Sequence, residues 1–311
     1  MNSKIKIARL SIFSNTLLII LKVIVSIITG SMSIFSEAIH STVDLLASLI
    51  TFISVKFSDK PADKEHPYGH GKYENISGVI EALLILLPAI WIIVEAFKKL
   101  FIPHEISSPG IGFLVMAISS FVNFLVSRKL YIVAKENDSI ALEADALHLK
   151  ADVYTSLGVA LGLMLIFFTK ITFLDPLIAI LVSCFIIKES IELFMNAFSP
   201  LLDTKISDAE IEAIEKLINS YNSVYCNFHN LRTRKAGSKK YIDLHLVMPK
   251  HLTVEEAYNL ACNIETALQN SLANTEVLIH LESCKNDCTT CDHFNNSICQ
   301  RKTSKSNSTS A

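Results

Sequence analysis

Along the first two-thirds of the chain the apolar residues run in long blocks, and the polar residues between them gather in short connections. Blocks of the ~20 residues needed to cross ~30 Å of hydrocarbon fall near 9–29, 34–57, 77–101, 110–133, 141–169 and 173–195. The pattern predicts six transmembrane helices. The first block lacks a small-residue cleavage pattern and runs straight into a second block, so it is expected to remain as a span rather than act as a signal peptide. Near residue 200 the pattern changes, because "SPLLDTKISDAE" brings proline, charge and a helix-start signal, and no later block is long enough to span. Periodicity then predicts a helix at 207–221, strands at 225–234 and 239–248, a helix at 253–270 and a strand at 275–282. Leu244, Leu246 and Met248 alternate with polar neighbours as in a half-buried strand, and "AGSKK" supplies the hairpin turn.

The expected organisation is therefore a six-span domain at 1–203, a small α+β domain at 204–283 and a cysteine-containing tail at 284–311. The tail's polar end, "SKSNSTSA", is expected to be disordered. Composition agrees with a membrane protein: 50% of the 311 residues are hydrophobic, and the mean hydropathy is +0.41. The net charge of −2 is spread without a basic stripe, which argues against nucleic acid as a partner. Positive charge falls before the first span (Lys4, Lys6, Arg9), between the second and third (Lys56, Lys60, Lys64, Lys72) and between the fourth and fifth (Arg128, Lys129, Lys135). The opposite loops hold Lys98, Lys99 and Lys170. Both termini are expected to be cytoplasmic.

Candidate chemistry begins inside the greasy blocks. "SEAIHSTVDL" places His40 and Asp44 four residues apart, and "HLKAD" repeats the order with His148 and Asp152. Residues four apart share one helix face, and each aspartate near the bilayer centre costs roughly 2.5–3.5 kcal/mol on insertion scales. One such pair alone is as readily a helix-to-helix hydrogen bond. Two pairs in the same order favour a divalent cation held by two imidazoles and two carboxylates, the number of ligands that zinc takes. Glu37 and Asp145, one turn from these residues, either orient the ligands or relay protons, or are solvated at a cavity mouth. In the loop after the second span, "KPADKEHPYGHGKYE" offers Asp63, His66 and His70 as a second metal site, with Pro67, Gly69 and Gly71 allowing a tight turn. The alternative is a solvated loop.

"IHSTVD", "PADKEHPYGHGKYE", "ADALHLKAD" and "HNLRTRKAGSKKYIDLHLVM" together resemble the cation diffusion facilitator family over roughly residues 8–283. The resemblance implies a homodimeric, six-span transporter of the cell membrane, not an enzyme, with a ferredoxin-like cytoplasmic domain. It implies export of Zn2+ or a related divalent ion from the cytoplasm in exchange for protons. Carried over by position, the transport site is His40, Asp44, His148 and Asp152, the loop site Asp63, His66 and His70, and the soluble-domain site His229, His245, His280 and Glu282. Some relatives have aspartate where this chain has His40, and the imidazole favours zinc or cobalt over manganese. Tyr258 and Glu282 also depart from residues common in the family, which leaves a second metal in that domain open.

The tail places Cys284, Cys288, Cys291 and Cys299 with His293, and only Cys288 and Cys291 have C-x-x-C spacing. They make either a structural zinc site or reducible thiols, and a disulfide framework is not expected. Protons competing with metal for His40 and His148 would couple the two fluxes. An intramembrane metalloprotease is disfavoured because no H-E-x-x-H motif occurs. Two other readings remain: transport selective for Fe2+, Mn2+, Co2+ or Cd2+, and a membrane metal sensor that does not transport.

Overall fold

The computed structural model of the chain describes residues 3–29, 32–101, 111–169 and 174–284. These divide into two compact units, residues 1–202 and 203–311. The first unit is helical throughout: α1 (Ser3–Thr29), α2 (Met32–Ser58), α3 (Lys72–Phe101), α4 (Ile111–Asn137), α5 (Ile140–Thr169) and α6 (Leu174–Phe198), closed by a short 3₁₀ turn at Ser199–Leu202. Among the described residues, Ser3–Ile28, Ala38–Ser58, Lys72–Lys98 and Ala117–Asn137 are long and apolar enough to cross a membrane. The 30 residues of α5 and 25 of α6 are of matching length.

α5 is the hub of this unit. One of its faces joins α1, α2 and α4 through Ala8, Val55, Val126, Leu130, Leu142 and Leu149. Its other face meets α3 and α6 through Ala82, Ile85, Ala144, Ile186 and Leu193. A helix buried from two sides needs no single apolar stripe, and the apolar residues of α5 accordingly do not gather on one. α3 and α6 form the most extensively packed pair, and small residues set their spacing: a Cβ on Gly78 would stand 2.9 Å from the Cβ of Ala197.

A polar knot ties the helix ends together. Glu74 on α3 has no exposed surface. It accepts from Lys4 Nζ of α1 at 2.9 Å, from Ser58 Oγ of α2 at 2.9 Å and from Ser139 Oγ of the α4–α5 turn at 2.6 Å. Lys4 also pairs with Asp59 at 3.1 Å. The turn reverses direction at Asp138, whose φ of 51° is one that aspartate tolerates better than most residues.

The second unit runs α7 (Asp208–Ser220), β1 (Asn227–Ala236), β2 (Lys239–Met248), α8 (Val254–Ser271) and β3 (Thr275–Ser283). Both helices start with reciprocal caps, Ser207 with Glu210 and Thr253 with Glu256. β1 and β2 form an antiparallel hairpin around Gly237 (φ 59°), and β2 pairs in parallel with β3. Parallel neighbours require a crossover, which α8 supplies. Ile242, Leu244, Leu246 and Met248 of β2 enter the core with Ile214, Ile218, Ile264 and Leu268 of the helices. The opposite face of the sheet carries the odd-numbered positions of β2, with Asp243 exposed and His245 and Val247 half-buried.

Gly78→Val is expected to force α3 from α6 and destabilise the first unit by about 1–3 kcal/mol, an overpacking cost. Thermal unfolding of the full chain in detergent, followed by fluorescence, checks this; a valine variant that melts with the parent would mean that the two helices are not held at glycine distance.

Candidate metal centres

The two intramembrane pairs meet where α2 packs on α5. Donor atoms of His40, Asp44 and Asp152 all lie within 4.8 Å of one another, and His148 Nε2 stands 3.1 Å from Asp44 Oδ1. Ligands around a tetrahedral zinc stand roughly 3.3 Å apart, given metal–ligand distances near 2.0 Å. All four residues expected from the sequence are thus brought together, three as a tight group and His148 through Asp44. Asp44 and His148 are buried, Asp152 is half-buried and His40 is exposed, so the cluster opens on the His40 side. The Nδ1 atom of His148 is buried without a hydrogen-bond partner.

Around the cluster lies a polar shell that sequence reading largely missed. Asn15 of α1 donates to Ser48 Oγ at 2.8 Å and to the Asp44 carbonyl at 3.4 Å. Asn123 of α4 donates to Asp152 Oδ2 at 3.5 Å. Lys22, buried in the middle of α1, donates to Ser41 Oγ at 2.7 Å, one residue from His40. Asp145 reaches the shell through Ser48, whose hydroxyl donates to it at 3.0 Å. Glu81 of α3 accepts from Thr51, and Glu81 and Asp145 are both fully buried. The signal for Lys22 and Glu81 was available: each is a charged residue inside an apolar block, the same anomaly that singled out His40 and Asp44. The side chain of Glu37 lies outside the described residues.

The loop between α2 and α3 gathers Asp63, His66 and His70, again with donor atoms within 4.8 Å of one another. Asp63 Oδ1 accepts the backbone N–H of His66 at 2.7 Å and of Glu65 at 3.0 Å, a turn that fixes the carboxylate before any ligand arrives. Its two oxygens stand 3.5 Å from His66 Nδ1 and 3.3 Å from His70 Nε2, close to the spacing that a tetrahedral ion requires. Gly69 at φ 81° lets the chain double back between the two histidines. The backbone bond from His66, followed by that from Glu65, holds the Asp63 carboxyl below the usual carboxylate range.

In the second unit His229, His245 and His280 form a row across the open face of the sheet, in register His229↔His245 and His245↔His280. Glu282 completes it, 2.7 Å from His245 Nδ1 and 3.6 Å from His229 Nε2. Donor atoms of His229, His245 and Glu282 lie within 4.8 Å of one another, while the ring of His280 is 4.8 Å from that of His245, centroid to centroid. A β-bulge puts His229 in the row. Asn230, at φ 52°, and Leu231 together oppose Leu244 between the paired positions His229↔His245 and Arg232↔Asp243. Without that extra residue His229 would fall on the core face. The hydrogen bond from His245, ahead of the three histidine charges, holds the Glu282 carboxyl below its ordinary range.

Cys284 is half-buried, its backbone N–H bonded to the Met248 carbonyl at 2.9 Å. Cys288, Cys291, His293 and Cys299 lie outside the described residues.

Comparison with known proteins matches both units. The family profile for a cation efflux transmembrane domain fits residues 8–202, and that for the cytoplasmic domain of cation efflux proteins fits residues 206–284. The transporter sll1263 of Synechocystis sp. is 35% identical over 255 residues, 82% of each chain. The cation-efflux pump FieF of Serratia proteamaculans is 31% identical over 269 residues, 86% of this chain and 89% of its own. A solved structure of CzrB in its Zn form is 29% identical, covers 26% of this chain and 92% of its own, and has a TM-score of 0.25. With profiles matched over residues 8–202 and 206–284 and relatives aligned over most of their length, the chain belongs to the cation efflux (cation diffusion facilitator) family, whose members are membrane transporters of metal ions rather than enzymes.

Proposed function

We propose that the chain is a homodimeric antiporter of the cell membrane that exports Zn2+ from the cytoplasm in exchange for protons, with both termini cytoplasmic. The observation that carries this reading is the meeting of two His-x-x-x-Asp pairs from different helices, with His148 Nε2 3.1 Å from Asp44 Oδ1. Two imidazoles and two carboxylates suit zinc or cobalt better than manganese, which takes oxygen-rich sites. In this reading His40, Asp44, His148 and Asp152 hold the transported ion. Asp63, His66 and His70 hold a second ion beside the membrane, and His229, His245, His280 and Glu282 a third, in a soluble domain at 204–283 that follows spans at 1–203. Donor spacings near those of a tetrahedral site support the two outer assignments.

Exchange follows from the ligand chemistry. The metal needs neutral histidine and ionised carboxylate, so protons and metal compete for one site. On the side where protons are abundant, His40 and His148 take them, imidazole being the side chain suited to exchanging a proton for a metal, and the cation leaves. Asp44 and Asp152 then keep imidazolium partners, and the protonated pairs return as α2 and α5 rock to the other face.

In proteoliposomes an imposed pH gradient is expected to drive Zn2+ flux, and Asp152→Ala to abolish it. His40→Asp is expected to shift preference toward Mn2+ or Fe2+ in a panel with Co2+ and Cd2+. Flux indifferent to the gradient would falsify proton exchange; binding without flux would make the protein a sensor. The outer sites carry a separate pH signature. Because the Asp63 and Glu282 carboxyls are held below their ordinary range, they stay ionised while the histidines protonate. Zinc affinity of the full chain with Asp152→Ala should therefore fall as pH drops from neutral toward the carboxylate range, the interval in which imidazole takes its proton, and not wait for the carboxylates themselves. Calorimetry between these limits decides it.

A further inference from the structure

α5 turns a second face away from the metal cluster. Ala146, Leu147, Lys150, Val153, Tyr154 and Leu157 line a cavity of about 530 Å³ shared with α4 and α6, whereas His148 and Asp152 point to α2. The volume is in the range of small-ligand sites. Its lining is polarised along the helix axes. Arg128, Lys135, Glu143, Lys150, Glu189 and Glu192 gather toward the end marked by the α4–α5 turn. Val153 and Leu157 continue the wall deeper, the latter ~10 Å beyond Lys150 at 1.5 Å per residue.

The charges are incompletely spent within the protein. Lys135 pairs with Glu143 at 2.6 Å, and Lys150 Nζ lies over the Tyr154 ring at 5.4 Å. Arg128, Glu189 and Glu192 line the same cavity and make no ion pair among the described residues. Two cations and two carboxylates thus remain beside an apolar slot, at the end of helices that cross a bilayer. Arg128 and Glu192 are exposed and Lys150 and Glu189 half-buried, so the four charges are open to a ligand carrying both signs. A purely anionic lipid would satisfy Arg128 and Lys150 but bring a third negative charge to the two glutamates.

We propose that this cavity holds the headgroup of a primary-amine phospholipid, with its phosphate on Arg128 and Lys150, its ammonium on Glu189 and Glu192, and the start of an acyl chain along Val153 and Leu157. Guanidinium suits phosphate oxygens bidentately, and a primary ammonium has three donors for carboxylates, which a quaternary amine lacks.

Native mass spectrometry of the purified full-length chain in detergent, titrated with phosphatidylethanolamine, phosphatidylcholine or phosphatidylglycerol of equal chain length, tests the assignment. Phosphatidylethanolamine should be retained most tightly and raise the Tm. Arg128→Gln and Glu189→Gln should each weaken it about tenfold, the loss of one charge-assisted bond. Neither residue makes an ion pair among the described residues, so lipid-free Tm should stay at the parent value. If a variant's lipid-free Tm falls, the headgroup ranking on the parent chain decides alone. Phosphatidylcholine binding equally well, phosphatidylglycerol binding better, or both variants binding like the parent would overturn the proposal. So would competition by soluble phosphoethanolamine at equal concentration, which would make the ligand a free phosphoamine, or a change of oligomeric state on mutation with no lipid effect, which would make the groove a contact between copies.

Discussion

A carboxylate enclosed by hydrocarbon-facing helices must meet a cation, a proton or a set of donors, since leaving it bare costs several kcal/mol. The first unit is arranged around that constraint. Glu74 satisfies it permanently, through Lys4 and two hydroxyls from separate elements. Asp44 meets it with the imidazole of His148, and Asp152 with the amide of Asn123 beside the donor atoms of His40 and Asp44. Glu81 and Asp145 rely on the hydroxyls of Thr51 and Ser48 and keep one oxygen each without a hydrogen-bond partner. The same physical demand therefore has a fixed solution at the helix ends and an exchangeable one in the middle. A fixed ammonium partner suits a fastener; an imidazole suits a site whose occupant must leave.

The hub position of α5 joins that demand to the packing. The helix carries His148 and Asp152 toward α2, shares one apolar cluster with α1, α2 and α4, and shares a second with α3 and α6. Any displacement of α5 that parts His148 and Asp152 from His40 and Asp44 must also be taken up on its α3–α6 side. There Gly158 admits no Cβ without closing to 2.9 Å on Val182 of α6. Tight contact of this kind moves as a body rather than deforming locally, so α5 and α6 are expected to shift together where they touch.

Much of this was legible in the sequence because it is local. Spans, the hairpin around Gly237 and both capped helices announce themselves within windows of a few residues, and the His-x-x-x-Asp spacing places each pair on one face. The loop triad is local too. What escaped was set by partners distant in sequence. Glu74 looks like an ordinary first-turn carboxylate until Lys4, 70 residues away, is seen against it. The hydrogen-bonded link of Asp145 to the site runs through Ser48, 97 residues off, a partner that no window around His148 contains. The bulge at Asn230 is a different failure. The alternation of β1 suggests one phase, and a single extra residue reverses it, so no periodicity could put His229 beside His245.

The three candidate centres use nearly the same side chains but differ in what joins their elements, and that difference bears on which of them can release an ion. In the sheet, His229, His245 and Glu282 sit on strands locked by main-chain hydrogen bonds. In the loop, Asp63, His66 and His70 lie within eight residues, with Asp63 already bonded to the backbone. Neither set of donors can separate without breaking secondary or turn structure. His40 and Asp44, by contrast, ride on α2, and His148 and Asp152 on α5, and what links these helices at the site is side-chain packing and side-chain hydrogen bonds, Asp44–His148 and Ser48–Asp145. Helices sliding past one another at small cost can part those donors on a sub-millisecond to millisecond scale. Release requires donors that can part, so the centre built across two helices is the one suited to moving an ion, and the two preorganised centres are suited to keeping one.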